Sequence, residues 1–246
     1  MGVDTFNSIS KIALNRIVKD YKNILKDPLH SHGIHYIHDE ENVLCGSALI
    51  IGQIGTPYEN GYYLFDFKFP LDYPISPPYV TLLTGDGIMR FHPNMYINGN
   101  ICLSLLNTWY GEQWTSCQSI TSVLLTLCSI LSEHPILYEP GVKITHSEFN
   151  NYHKILTYKN YQVSILNAVM NEHVNIKYAL YKNIIHSHFL HNFTHNLFNL
   201  TNLYKTYTNE HEIHLTLYHI SVIIDYGTLI TRLNEANQFI STCQTD

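Results

Sequence analysis

Along residues 6 to 26, apolar side chains recur at Ile9, Ile12, Ala13, Ile17, Tyr21 and Leu25. Steps of three and four place them on one face of a helix, so this stretch is predicted to be amphipathic and helical. Asp4 or Ser8 is positioned to cap its start, and Asp27-Pro28 to end it. The period then changes. Gly33 to His38 alternates weakly, and Val43 to Gln53 is long and rich in β-branched residues. Tyr62 to Phe69 alternates aromatic and polar, and Tyr79 to Leu83 is short and apolar. Turn residues at 39–42 and 57–61 separate these runs, which predicts an antiparallel meander of four strands with one face packed on helices.

Residues 84 to 114 carry no clear period, and an irregular segment of that length inside a domain points to a functional loop. Helical spacing returns over Ser119 to Ser132, where Ile120, Val123, Leu124, Leu127, Cys128 and Leu131 share a face, and again over Ser147 to Met170. Beyond residue 175, Ile176, Leu180, Ile184, Phe189, Phe193, Leu197, Leu200 and Tyr204 predict a further helix or helix pair. The stretch from Ile213 to Ile240 predicts more helix, interrupted near Gly227. The fold class is therefore α+β: an N-terminal helix, a four-stranded antiparallel sheet, helices behind it and a helical C-terminal extension.

The chain has 246 residues, which suits one domain of about 150 residues plus an extension. With 45% hydrophobic residues it can bury a sizeable core. A net charge of −6 with only 14% charged residues argues against general nucleic-acid binding, which needs a basic surface. Cysteines 45, 102, 117, 128 and 243 are odd in number and scattered, and no secretory signal precedes them, so they read as reduced thiols in the cytoplasm or nucleus. No apolar run reaches the roughly 18 residues of a membrane span. The Asn-, Ile- and Tyr-rich composition suits an AT-rich genome such as that of a large DNA virus or a protist; a viral source would place the protein in the host cell.

Within the irregular stretch, His92-Pro93-Asn94 is followed eight residues later by Cys102, with Asn98-Gly99 between them. Cysteine reacts as the thiolate, and an asparagine amide on a short loop can donate to an oxyanion formed at the sulfur's substrate. An Asn-Gly pair favours a tight turn. Cys128, on an apolar helical face, reads as a core residue. His186, His188, His191 and His195 cluster in one helical stretch, but no Cys–Cys pair completes a zinc set, so no metal is expected.

The Cys102–Asn94 pairing resembles the active site of ubiquitin-conjugating enzymes. Tyr73-Pro74-Ile75-Ser76-Pro77-Pro78 is similar to the family's Pro-rich loop, and Gly61 to Pro70 is similar to its third strand. The resemblance covers roughly residues 4 to 175. Trp109 and Trp114 around Gly111, followed by Glu139-Pro140-Gly141, resemble a large-extension subgroup. That subgroup includes the enzyme charged by the non-standard ubiquitin-activating enzyme and the conjugating domains of giant conjugating–ligase proteins.

This resemblance implies the ubiquitin-conjugating fold, with a core over 4–175 and a helical extension over 176–246 packed on it. It implies transfer of ubiquitin or a ubiquitin-like protein from an activating enzyme to Cys102, then to a substrate lysine, usually with a ligase. ATP is used by the activating enzyme, so no cofactor is expected here. Asn94 stabilises the oxyanion or holds the loop that shapes it; His92 orders the loop; Glu139, just before a proline, is the acid near the attacking lysine. Lys11, Arg16, Lys19 and Lys22 lie where the family's first helix meets the activating enzyme, although an ordinary helix would simply solvate them. Ser104 replaces the aspartate that many minimal members carry two residues after the cysteine. Ile75 and Ser116-Cys117 replace the aromatic residue and proline of the usual ligase-facing loops. Two other readings are a non-catalytic ubiquitin- or ligase-binding module of the same fold and a cysteine hydrolase. The first is expected to lack the cysteine, the second to act without ATP.

Overall fold

The structure is a computed structural model that describes residues 9–170, 172, 176–207 and 211–243. It divides into two compact units interleaved along the sequence. The first holds the chain up to Ile50, Leu64–Leu82 and Asn100–Ile130; the second holds Ile51–Tyr63, Leu83–Gly99 and the chain from Leu131 onward.

In the first unit, helix α1 spans Lys11–Lys26. Asp4 and Ser8 lie outside the described residues; the cap is Ser10, whose hydroxyl accepts from the Ala13 N–H at 3.0 Å. Asp27 ends the helix as expected. The buried stripe is Ala13, Ile17, Asp20 and Ile24, so the packed face is rotated from the one the spacing implied, leaving Ile12 74% and Leu25 59% exposed. Asp20 can take an inward place because both carboxylate oxygens are bonded, Oδ1 to Arg16 and Oδ2 to the Tyr73 hydroxyl at 2.6 Å.

Four strands follow: β1 (Ile34–His38), β2 (Cys45–Ile51), β3 (Tyr62–Lys68) and β4 (Tyr79–Leu82), in the order β1-β2-β3-β4. This is the expected meander, with Ile34 opposite Ile50 and Phe65 opposite Leu82. Gly46 lies against the Tyr36 ring so closely that any Cβ there would collide with it. Helix α2 (Ile120–Ile130) packs on α1 and buries Cys128 as a core residue.

The second unit is built around tyrosines. Tyr58, Tyr62 and Tyr63 are fully buried, and their hydroxyls donate to Phe91 O (2.7 Å), Ile185 O (3.2 Å) and Asn160 Oδ1 (2.6 Å). Helix α3 (Phe149–Lys159) continues into a π-helical stretch over Asn160–Asn167, and α4 spans Lys182–Thr206. The segment after α4 corrects the helical expectation. It forms a hairpin, β5 (His211–Leu215) and β6 (Ile220–Ile224), before helix α5 (Tyr226–Cys243). Ile220, Val222 and Ile224 are buried in strict alternation, a two-residue period hidden beneath the apparent three-to-four spacing. The turn also lacks the usual signal, because the left-handed position at φ 54° is filled by His219 rather than Gly or Asn. Among the described residues, no helix is long and apolar enough to cross a membrane.

Candidate active site

Cys102 is half-buried and lines a groove of about 550 Å³ in the first unit. One wall is the run Ser76–Thr81, which leads into β4; the other is Asn100–Cys102 with Leu106, Asn107 and Thr108. Among the described residues, no charged side chain lines it. The wall is held because β4 is an edge strand and Thr81 bridges to Asn100. The backbone on both sides of Cys102 is braced by one side chain that sequence reasoning did not single out. Thr108 Oγ1 accepts from the Leu103 N–H at 2.9 Å and lies 2.8 Å from the Ile101 carbonyl, to which it donates. A helical turn at Ser104–Leu106 follows, closed by Asn107 at φ 57°. Asn107 Oδ1 then accepts from the Trp114 N–H, and Gly111 at φ 127° runs against Ser104, so the segment 107–114 folds back on the residues after the cysteine.

The two tryptophans divide their labour. Trp114 is buried and donates its indole N–H to Pro74 O at 2.8 Å, fixing the Pro-rich loop; Trp109 and Tyr110 are exposed. Ile75 and Cys117 are exposed as well. Arg16 departs from the basic face expected for α1. It is turned inward, pairs with Asp20 at 2.9 Å, stacks over Tyr73 and donates to the Ser116 carbonyl at 2.6 Å and to Gln118 O. A buried carboxylate requires such a partner, so Arg16 ties α1 to the Ser116–Gln118 stretch before α2, while Lys11, Lys19 and Lys22 stay outside that network.

His92 and Asn94 belong to the second unit. His92 is fully buried; its Nδ1 accepts from the Asn94 N–H at 2.9 Å and its carbonyl from the Met95 N–H at 2.8 Å. Burial first, with the Arg90 guanidinium adding to it, pushes the imidazole down to about 3, so the ring is neutral with its proton on Nε2. It lies 4.8 Å from the Tyr138 ring. Such a histidine orders a turn; a buried ring that resists protonation is poorly suited to act as a base. The Asn94 side chain is nearly buried. Asn98-Gly99 completes the expected tight turn, with Gly99 N–H on Tyr96 O at 2.9 Å and φ 87°.

Glu139 is half-buried in a turn ended by Gly141 at φ 82°, and its carboxylate accepts from the Tyr218 hydroxyl at 2.6 Å. Arg90 donates to Pro93 O. The four clustered histidines all lie on α4; among them His188 meets the Tyr62 hydroxyl at 3.1 Å and His195 pairs with Glu59. Among the described residues, no three His, Cys, Asp or Glu side chains are grouped to hold a metal.

Comparison with known proteins identifies the family. The family model for ubiquitin-conjugating enzymes matches residues 16–160, more than half of the chain. Ubiquitin-conjugating enzyme E2 Z of Homo sapiens is 40% identical over 155 residues, covering 62% of this chain and 43% of that protein. The dual E2 ubiquitin-conjugating enzyme/E3 ubiquitin-protein ligase BIRC6 of Homo sapiens is 37% identical over 170 residues, 66% of this chain and 4% of that protein. A probable ubiquitin-conjugating enzyme protein 17 of Caenorhabditis elegans is 38% identical over 147 residues, 57% of this chain and 20% of that protein. The chain thus spans less than half the length of these curated relatives. On the family match, the strand order and the His92-to-Cys102 segment together, the chain belongs to the ubiquitin-conjugating enzyme family.

Proposed function

We propose that this chain accepts the C-terminal carboxyl of ubiquitin, or of a ubiquitin-like protein, on Cys102 and transfers it to a lysine. In the first step the Cys102 thiolate attacks the thioester carbonyl of a charged activating enzyme. A new C–S bond forms, the old one breaks, and the activating enzyme's cysteine leaves as thiolate. In the second step a lysine amine, having lost its proton, attacks the Cys102 thioester. The C–N bond of an isopeptide forms and Cys102 leaves as thiolate. ATP is consumed by the activating enzyme, and this chemistry requires no metal or organic cofactor of its own.

The observation that carries this reading is the position of Cys102, half-buried on a groove whose described lining is uncharged, with its backbone braced by Thr108. Asn94 serves the second step, by donating to the oxyanion or by holding the loop that shapes it. His92 orders that loop. Glu139 orients the attacking lysine and takes part in removing its proton, whose unperturbed pKa lies near 10.4. Exposed Lys11, Lys19 and Lys22 on α1 are proposed to meet the activating enzyme, and Ile75 with the 116–117 loop to meet a ligase. The protein is proposed to act in the cytoplasm or nucleus.

The test is a charging reaction with ubiquitin, ATP and each ubiquitin-activating enzyme in turn, read on a non-reducing gel beside a reduced sample. An ATP-dependent adduct that is lost on reduction and absent from Cys102→Ala is expected. No adduct with any activating enzyme and modifier, from a folded protein, would overturn the proposal.

A further inference from the structure

We infer that Tyr218, at the tip of the C-terminal hairpin, is a positioning residue for transfer to lysine: it holds the Glu139 carboxylate. This inference rests on the function proposed above. Tyr218 ends the short helical turn Thr216–Tyr218 between β5 and β6, and its hydroxyl is 2.6 Å from Glu139 Oε2. The tip is anchored rather than loose. The Leu217 N–H reaches Glu148 Oε2 at 3.3 Å, the Tyr152 ring packs edge-on to Tyr218 at 5.9 Å, and the hairpin rests on α3.

The same ring also touches the loop that carries Asn94. The Arg90 guanidinium lies 4.7 Å from the Tyr218 ring and 4.2 Å from the Tyr96 ring, a cation held between two aromatic faces. Arg90 donates to Pro93 O, within the His92-Pro93-Asn94 turn, and its own carbonyl accepts from the Tyr152 hydroxyl at 3.0 Å. One tyrosine of the extension thus grips two loops of the second unit: Glu139 through its hydroxyl, and the turn before Asn94 through its ring and Arg90. Burial, then the bond to Glu139, raises the Tyr218 phenol well above its usual value, so it remains protonated and is the donor. A carboxylate with one oxygen held in this way keeps the other free to face an incoming ammonium.

The step affected is the loss of the lysine proton. The ammonium gives it up, the amine lone pair forms the C–N bond, and the C–S bond breaks to release Cys102 as thiolate. A nucleophile that is already unprotonated at neutral pH does not need Glu139. Tyr218→Phe keeps the ring over Arg90 and removes only the hydroxyl, so it separates the two contacts.

The experiment follows discharge of the charged full chain, onto free lysine and onto hydroxylamine in parallel. The expected result for Tyr218→Phe is a loss of about tenfold in the lysine rate, in line with loss of a hydrogen bond to a charged group, with charging and hydroxylamine discharge close to wild type. In a Glu139→Gln background the same change is expected to add nothing, because the two residues act through one bond. Equal slowing with both nucleophiles would mean a general structural role and would overturn the inference, as would an unchanged lysine rate. A wild-type chain that never charges would instead overturn the function on which the inference rests.

Discussion

Cys102 sits half-buried on a groove lined, among the described residues, by no charged side chain, whereas His92, ten residues earlier, is fully buried near a guanidinium and an aromatic ring. The first segment is held from outside: Thr108 braces the peptides on either side of the sulfur and leaves the sulfur itself on the groove. The second segment is held from inside, by an imidazole that accepts its own loop's N–H. The contrast follows from the tasks proposed for them. A sulfur that must be reached by two proteins has to stay accessible, so its rigidity comes from the backbone. A loop that presents an amide has to stay in place and keep one protonation state, which burial supplies.

Three substitutions probe that contrast, in falling order of expected effect. Asn94→Ala is expected to slow lysine discharge by about 100- to 1,000-fold if the amide meets the oxyanion. Single-turnover discharge of the charged variant measures this, and a loss below tenfold would limit Asn94 to shaping the loop.

His92 gives a stability signature. Its folded value of about 3 lies below the unfolded value near 6.5, so between these limits the unfolded chain binds a proton that the folded chain does not. Its stabilising contribution is complete above pH 6.5 and is lost as pH falls toward 3, by at most about 1.4 kcal/mol per pH unit. His38, His153, His186 and His188 are also lowered by burial and add the same sign, so the useful quantity is a difference. Urea unfolding of wild type and His92→Gln across pH 4 to 7 is expected to show wild type losing stability faster on acidification. Parallel curves would mean that His92 titrates alike in both states.

Thr108→Val removes the hydroxyl and keeps the shape. It is expected to cost about 1–2 kcal/mol in denaturant unfolding, and to loosen the Cys102 segment enough to change its alkylation rate by a small reagent. An unchanged alkylation rate would show that the other contacts of the segment 107–114 hold the Cys102 stretch without the Thr108 hydroxyl.

The strands were legible from different cues, alternation in Gly33–His38 and Tyr62–Phe69, β-branched residues in Val43–Gln53 and a short apolar run in Tyr79–Leu83, with turn residues at 39–42 and 57–61 between them, and helix α2 because six apolar residues share one face. Both patterns are local, and the tertiary structure had only to accept them. The candidate site was legible for a different reason: His92-Pro93-Asn94 and Cys102 are close in sequence, so their spacing survives as a motif. Helix α1 was only half legible. Its existence followed from the spacing, but its packed face did not, because Asp20 turns inward only where Arg16 and Tyr73 satisfy it. Tyr73 is 53 residues away from Asp20 in sequence.

Beyond residue 175 the balance shifts further. The hairpin over 211–224 was read as helix because its alternating apolar residues also fit helical steps, and His219 hides the turn. No pattern in the sequence pairs Tyr218 with Glu139 across 79 residues. By itself, then, the sequence determined the elements of the chain up to about residue 170, their order and the residue types available for chemistry, since those depend on period, turn residues and short spacing. Which polar groups meet was decided by the tertiary structure, because a buried carboxylate, guanidinium or imidazole is tolerated only beside partners that folding brings from distant parts of the chain.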